Sequence, residues 1–482
     1  MTNEERSFDE LAYFELNPDV EHAVLAGDFP SGFEHWTLHG HKEGRPAQRP
    51  IKPPNAPENW NEVRYLQANP DVWAAVRAGA FQSGYEHWTR SGNDEGRPGS
   101  PNQHTNQDAK AVLASVPLGF NCFGYSSAPT GLGSGIRGHL DVFRSLTANV
   151  LETKVPVWGL EPPPPIGFDS ARSPFALNII HQNADVLSLF LTHYGRRTLQ
   201  DRINIGCWVW ELHAGYPGWR RFSRLFHEIW VPSHFALQSL STVCEIPIFV
   251  IPSPVDGLPK TPTVTRSDMG LAGNAFVFTY IFDLASALGR KNPLALLRAF
   301  RNTFGNRTDV QLVLKYHNVS SDPHAAATIR RLASPCANVR VIDRTLPEDQ
   351  VYSLLQLSDC FVSPHRSEGF GLNIAAAMYY AKPVIATGYS GNMDYTNSDT
   401  AFLIDCDLVT VGAGHPHYRE GYGWAEPSVE HLCVLLKQVF DNRELARDVG
   451  LAGQQIVRKM YSVEAVAQQV RARLRALGDT SL

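Results

Sequence analysis

From about residue 112 the chain alternates short β-branched runs with amphipathic helical stretches, and it does so in two series. The first series holds "PLGFNCFGY", "ALNIIHQN", "INIGCWVW", "EIWVPS" and "PIFVIPS" between residues 117 and 253. After a proline-rich join, "PSPVDGLPKTPTVT" (252–265), the second holds "FVFTYIFD", "VQLVLKYHN", "VRVIDR", "CFVSPH", "PVIAT" and "AFLID". Continuous apolar runs separated by helices are what a parallel sheet covered on both faces requires. Two such series joined by a hinge predict an α/β chain with two doubly wound, Rossmann-like sheets facing a cleft. The boundaries read as 112–260 for the first domain and 266–460 for the second, with 461–482 a helix returning to the first. Ligands of such sheets sit beyond the strand C-termini, so the chemistry belongs in those loops.

Ahead of this body lies a duplication. "YFELNPDVEHAVLAGDFPSGFEHWTLHGHKEGRP" (13–46) aligns without gaps with "YLQANPDVWAAVRAGAFQSGYEHWTRSGNDEGRP" (65–98). Asn17-Pro18-Asp19 and Asn69-Pro70-Asp71 are turn and helix-start signals. Ser31 with Glu34, and Ser83 with Glu86, have capping-box spacing, and Gly40 and Gly92 end the helices that follow. Residues 1–100 are therefore expected to form a small all-α module of two repeats around Tyr, Trp and Phe, with 101–111 as a linker. The stretches 46–58 and 97–108 read as polar, proline-rich spacers. His35 and His87 lie near glutamates, but capping explains the glutamates and no third metal ligand is spaced nearby.

Composition removes several classes of function. A formal charge of −5 gives no electrostatic case for nucleic acid. No apolar run reaches the roughly 18 residues that span a bilayer. The N-terminus, "MTNEERSFDE", has no apolar core and is not expected to direct secretion. The seven cysteines are scattered without a C-x-x-C, which favours reduced thiols and a cytoplasmic location.

Two stretches carry the chemistry. "HRSEGFGLNIAAAM" (365–378) follows a buried strand and sets Glu368 among glycines before a helix. A helix N-terminus offers free N–H groups and a positive dipole end, which suit phosphate or sugar oxygens. Gly369 and Gly371 let a ligand approach the backbone. "YIFDLASALGRKNPLALLRAF" (280–300) places Arg290 and Lys291 just before Asn292-Pro293, a helix-start pair. Two cations there have the wrong sign for the helix dipole, and a diphosphate site explains them. A third stretch, "GYSSAPTGLGSGIRGHLDVF" (124–143), brings Gly131, Gly133 and Gly135 to the start of a helix in the first domain.

These stretches, with "KPVIATGYSGNMD", "NIIHQNAD", "GCWVWELHAGYP", "EIWVPS" and "GWAEPSVEH", resemble retaining glycosyltransferases of the GT-B fold, family four. Within it they are similar to a bacterial subgroup that builds polysaccharides. The resemblance covers roughly residues 112–475. It implies a nucleoside diphosphate sugar bound by the second domain, a glycan, lipid-linked or protein acceptor at the first, and no metal or cofactor. By resemblance Glu368 is the first glutamate of the family's E-x7-E motif, near the donor sugar. Gly369, Phe370, Gly371 and Leu372 supply backbone contacts, and Lys291 is the phosphate-binding lysine. The family's arginine five residues earlier is Ser286 here, which leaves its part to Arg290. The motif's second glutamate, which holds the ribose, is Ala376 here, and Glu426 is the candidate to replace it. His181 is implied to hydrogen-bond the transferred sugar, with Asn183 and Asp185 beside it. Trp208, Trp210 and Glu211 suit carbohydrate binding, aromatic faces with a polar handle, and equally suit a core, and the Gly133–Gly135 loop would face the diphosphate or the acceptor. The repeat resembles one found in large bacterial surface proteins and beside glycosyltransferases, which implies an interaction module and a protein partner.

Other readings stay open. Gly133-Ser134-Gly135-Ile136-Arg137-Gly138 fits G-x-G-x-x-G with Glu152 downstream, as in an NAD-dependent oxidoreductase, although the loop before the first glycine is long for that turn. A donor-binding pseudoenzyme or scaffold would account for Ala376. Asp405-Cys406-Asp407 has the form of a metal-binding D-x-D but lies late in the chain. "GWRRFSRLF" (218–226) interleaves aromatics with arginines and is either a solvated helix face or a peripheral contact with the inner membrane.

Overall fold

Every one of the quoted apolar runs forms a strand. The computed structural model describes residues 103–478 except 159–160, 165, 168, 413–417 and 419, together with parts of both repeats, including 32–40, 69–77 and 80–92. The chain divides into two compact units, 1–105 and 106–482.

In the second unit the first sheet contains β1 (Phe120–Gly124), β2 (Val150–Lys154), β3 (Leu177–His181), β4 (Ile203–Cys207), β5 (Glu228–Val231) and β6 (Ile248–Val250), ordered β2-β1-β3-β4-β5-β6. The second contains β7 (Phe276–Asp283), β8 (Val310–His317), β9 (Val339–Ile342), β10 (Cys360–Ser363), β11 (Val384–Thr387) and β12 (Phe402–Ile404), ordered β12-β11-β10-β7-β8-β9. All neighbours in both sheets pair in parallel, for example Phe120 with Leu177 and Phe361 with Val384. Strands β1, β3 and β4 are buried at every residue, as strands covered by helices on both faces must be. The order in which strands are added reverses between β1 and β3 and again between β7 and β10, and at such switch points a crevice opens beyond the strand ends.

Helix α1 (Gly131–Leu146) covers the first sheet through Ile136, Leu140 and Phe143. The helix Val463–Leu477 joins that same core through Val466, Val470 and Leu474, so it returns to the first domain. The stretch read as a linker at 101–111 enters a helix, Gln103–Ser115. A two-stranded antiparallel hairpin, β13 (Cys406–Thr410) with β14 (Gly423–Pro427), packs Val411, Tyr418 and Trp424 against Leu212 of the first domain.

In the first unit, Ser83 caps the helix Gly84–His87 by accepting from Glu86 N at 3.0 Å. Glu86 returns a bond to the backbone at Gln82. His87 is held by Tyr65 Oη at 2.8 Å and His35 by Tyr13 Oη at 2.9 Å, the same pairing in both repeats. Both imidazoles are buried and pack against aromatic rings, His35 on Phe29 and His87 on Phe81. Pro18-Asp19, the cap at Ser31 and the spacers 46–58 and 97–102 lie outside the described residues. Among the described residues no helix is long and apolar enough to cross a membrane, and all seven cysteines are free thiols.

Candidate active site

A cavity of about 430 Å³ lies where the two switch points face each other. One wall comes from the loops after β1 and β3, with Gly131, Gly135, His181 and Asn183. The other comes from the loops after β7, β8 and β10, with Ser286, Arg290, Lys291, Lys315 and Glu368. Two helix N-termini open onto it, that of α1 and that of α2 (Leu372–Tyr379). No side chain caps α2, so its first N–H groups are available to an anion. Contacts across the cleft hold the domains together: Ser233 Oγ donates to the Gly369 carbonyl at 2.6 Å, and Arg137 meets Glu348 at 2.8 Å.

Arg290, Lys291 and Glu368 converge on one point of this cavity. Lys291 Nζ contacts Glu368 Oε1 directly, and Arg290 Nη1 lies 3.1 Å from Glu368 Oε2. Arg290 also reaches Glu211 of the first domain at 3.6 Å and donates to the Ser367 carbonyl at 2.8 Å. Burial would raise the Glu368 carboxyl, but Lys291 and Arg290 outweigh it and hold it at about 2. Burial, with Arg290 beside it, pushes the Lys291 ammonium below its ordinary value against the pull of Glu368.

The loop that carries Glu368 is fixed by its neighbours. Its backbone N–H donates to Ser390 Oγ at 2.8 Å, and its carbonyl accepts from Gly391 N at 2.9 Å. Tyr395 Oη ties down the Phe370 and Gly371 carbonyls at 2.8 and 2.9 Å. Gly371, at φ +90°, makes the left-handed turn into α2 that a side chain would strain. Ala287, Asn292 and Ser390 hold positive φ without being glycine, and all three border the Arg290–Lys291–Glu368 cluster. Strain of this kind, of order 1–3 kcal/mol per residue, gathers at functional sites.

The other candidates divide. Gly369, Phe370, Gly371, Leu372, Trp208 and Glu211 line the cavity. Trp208 does so from the core, fully buried against Trp219 and Phe226. Asn183 lines the wall, but its amide is spent on both backbone groups of Val209, at 2.9 and 3.0 Å. Asp185 is exposed and off the wall. Gly133 packs behind the wall, where a Cβ would meet the Ala128 carbonyl at 2.1 Å. Glu426 is also off the wall, where it braces Arg366 at 2.6 Å, and Ala376 is buried.

Glu152 is engaged by Ser126 at 2.6 Å and Arg144 at 3.1 Å, not free for a dinucleotide ribose. Asp405 pairs with His431 at 2.9 Å, away from the cavity. In 218–226, Trp219 and Phe226 are buried while Arg220 and Arg224 pair with Glu245 at 3.6 and 3.0 Å. That stretch is a partly buried turn in which two of the three arginines are paired and the third, exposed Arg221, lies over the Phe222 ring.

The structure adds wall residues that sequence patterns did not mark. Lys315 and His317 close the end of β8, 3.3 Å apart, and His317 faces Asp283 at 3.4 Å. Burial brings the Lys315 ammonium down to about 8. Glu348, Arg137, His139 and Cys207 also line the cavity. The only available signal for Lys315 and His317 was a lysine and a histidine ending an otherwise apolar strand.

Two Rossmann-like domains clasping one cavity make this a GT-B fold. Residues 277–413, which carry Arg290, Lys291 and Glu368, match the family model described as Glycosyl transferases group 1. That segment is a group 1 glycosyltransferase domain, and the chain is a glycosyltransferase. Among solved structures it is similar to the Anabaena protein HepE, solved in complex with UDP and glucose, at 15% identity and a TM-score of 0.54 over 74% of this chain and 100% of that one. A glycosyltransferase from Rickettsia africae gives 14% and 0.54 over 76% and 100%. Sucrose-phosphate synthase from Thermosynechococcus elongatus gives 13% and 0.55 over 75% and 99%. At these identities the likeness is one of fold. No curated protein matches the sequence.

Proposed function

We propose that the chain is a retaining, metal-independent transferase that moves a hexose or deoxyhexose from a nucleoside diphosphate sugar to a glycan, lipid-linked or protein-linked acceptor. The observation that carries this reading is the contact of Lys291 and Arg290 with Glu368 on a shared cavity wall. A phosphate-binding cation and a sugar-binding carboxylate that touch each other require a compact ligand. A donor whose sugar folds back over its own diphosphate brings both groups to that spot, and leaves the face beside the leaving group open to the acceptor. Same-face attack retains the anomeric configuration. The nucleoside diphosphate leaves first, its charge met by Lys291, Arg290 and the α2 amides. The acceptor hydroxyl then attacks, and its proton passes to the departing phosphate. Glu368, ionised and fixed, orients the sugar hydroxyls and forms no covalent bond.

The test is a thermal-shift screen of UDP-, GDP- and dTDP-sugars, followed by NMR of the product anomer. A true donor at 100 times its Kd stabilises by about 2.7 kcal/mol, and the product should keep the donor's anomeric form. An inverted product overturns the mechanism. Ala376 favours a second reading, a donor-binding scaffold. Binding without turnover, in both the wild type and Ala376→Glu, would support that one instead.

A further inference from the structure

His181, at the end of β3, meets a second buried histidine on the cavity floor. His139, in the middle of α1, sets Nδ1 3.1 Å from His181 Nε2 and its own Nε2 3.2 Å from the Pro252 carbonyl. These bonds fix the protons. A carbonyl only accepts, so His139 Nε2 carries a hydrogen. Burial lowers both imidazoles, His139 to about 4 and His181 well below the usual histidine value. Each ring is therefore neutral at pH 7 and holds one proton. With its hydrogen given to Pro252, His139 has a bare Nδ1, and the bond to His181 then needs the His181 hydrogen on Nε2. His181 keeps a bare Nδ1, which receives no hydrogen bond among the described residues, on a ring that lines the cavity.

We propose that His139 is a positioning residue that locks His181 as the Nε2–H tautomer, so that His181 offers the cavity an acceptor alone and selects a neutral sugar hydroxyl. The ligand's identity rests on the transferase reading, while the proton arrangement rests on the hydrogen bonds. A lone pair at this point accepts from a hydroxyl and repels a carboxylate, so the sugar carbon that faces His181 bears a hydroxyl and not a carboxylate. The alternative occupant is a metal, because Cys207 Sγ and the two ring nitrogens lie within 4.8 Å of one another. A metal held between the facing nitrogens would need the His181 hydrogen moved to Nδ1, at the expense of the bond to His139.

Nitrogen-15 NMR of the full-length protein, labelled at histidine, reads the tautomer at pH 7. The expected spectrum shows His181 protonated at Nε2 alone. His139→Asn, whose Oδ1 takes the place of the Nδ1 acceptor, keeps that signature, and His139→Leu releases a mixture of tautomers. With the donor found in the screen, His139→Leu loses about five- to tenfold in kcat/KM, the worth of one neutral hydrogen bond, and His139→Asn recovers most of it. Deleting donor hydroxyls one at a time should reveal one position whose loss is costly in the wild type and cheap in His139→Leu. A wild-type His181 protonated at Nδ1 overturns the proposal, whatever the variants do. So does stoichiometric binding of added Zn²⁺ that Cys207→Ser abolishes. If the tautomer is as stated and no nucleotide sugar binds, the sugar assignment falls and the positioning role stands.

Discussion

Glu368 is ionised because two cations outweigh its burial. That balance was partly legible in the sequence, where a carboxylate among glycines and a pair of cations before a helix both stood out. Their direct contact was not legible, since residues some 77 positions apart meet only through sheet order. Lys315 is the opposite case, a buried cation with too little to offset the loss of water. Its nearest opposite charge, Asp283, also serves His317, Asn318 and the backbone of Ala285. A lysine whose folded pKa falls from 10.5 to about 8 binds fewer protons folded than unfolded across that window, so stability rises as pH climbs from 8 to 10.5. Lys315→Met should gain about 1–3 kcal/mol at pH 7 and flatten that rise, as read by urea unfolding at pH 7, 8 and 10. No gain would mean that Asp283 compensates the charge in full. No sequence pattern singles this residue out, because one polar side chain at a strand end is ordinary.

At the scale of elements, legibility followed burial. The strands buried on both faces announced themselves as unbroken apolar runs. β2 did not, because "VLETK" is a half-buried edge strand whose last three residues are polar. The hairpin of β13 and β14 escaped for a similar reason: Asp407, Leu408 and Thr410 are exposed, so no buried run marks it. The loop after β10 shows how tightly one element can be held by another domain. A Cβ on Gly369 would meet Val209 Cγ1 at 2.5 Å and the Trp210 carbonyl at 3.3 Å, both across the cleft. Gly369→Ala should therefore push the walls apart and cost about tenfold or more in kcat/KM, since misplacement of about 1 Å costs up to a hundredfold. Gly273→Ala, where a Cβ meets nothing within 4 Å, serves as the control and should leave the rate unchanged. Equal rates in the two variants would show that the cleft yields at Gly369 without consequence.

For the whole molecule, the described cavity wall runs from Tyr125 to Ile374 and draws on both sheets, so neither Rossmann-like domain makes the site alone. The two-domain reading of the sequence rested on strand–helix alternation and a proline-rich join, which are local signals and survive without a structure. The closure of the cleft is not local. It depends on contacts such as Ser233 with Gly369 and Arg290 with Glu211, whose partners belong to different series. In the proposed reaction one compact donor engages Lys291 through its diphosphate and Glu368 through its sugar. Titration calorimetry of a nucleoside diphosphate, and of the same nucleotide carrying its sugar, against wild type, Lys291→Ala and Glu368→Gln tests it directly. Lys291→Ala should weaken both ligands by about tenfold or more, the worth of a charge-assisted bond. Glu368→Gln should weaken the sugar-bearing ligand more than the bare nucleotide. Wild-type affinity in both variants, or a Glu368→Gln loss that is the same with and without the sugar, would contradict it.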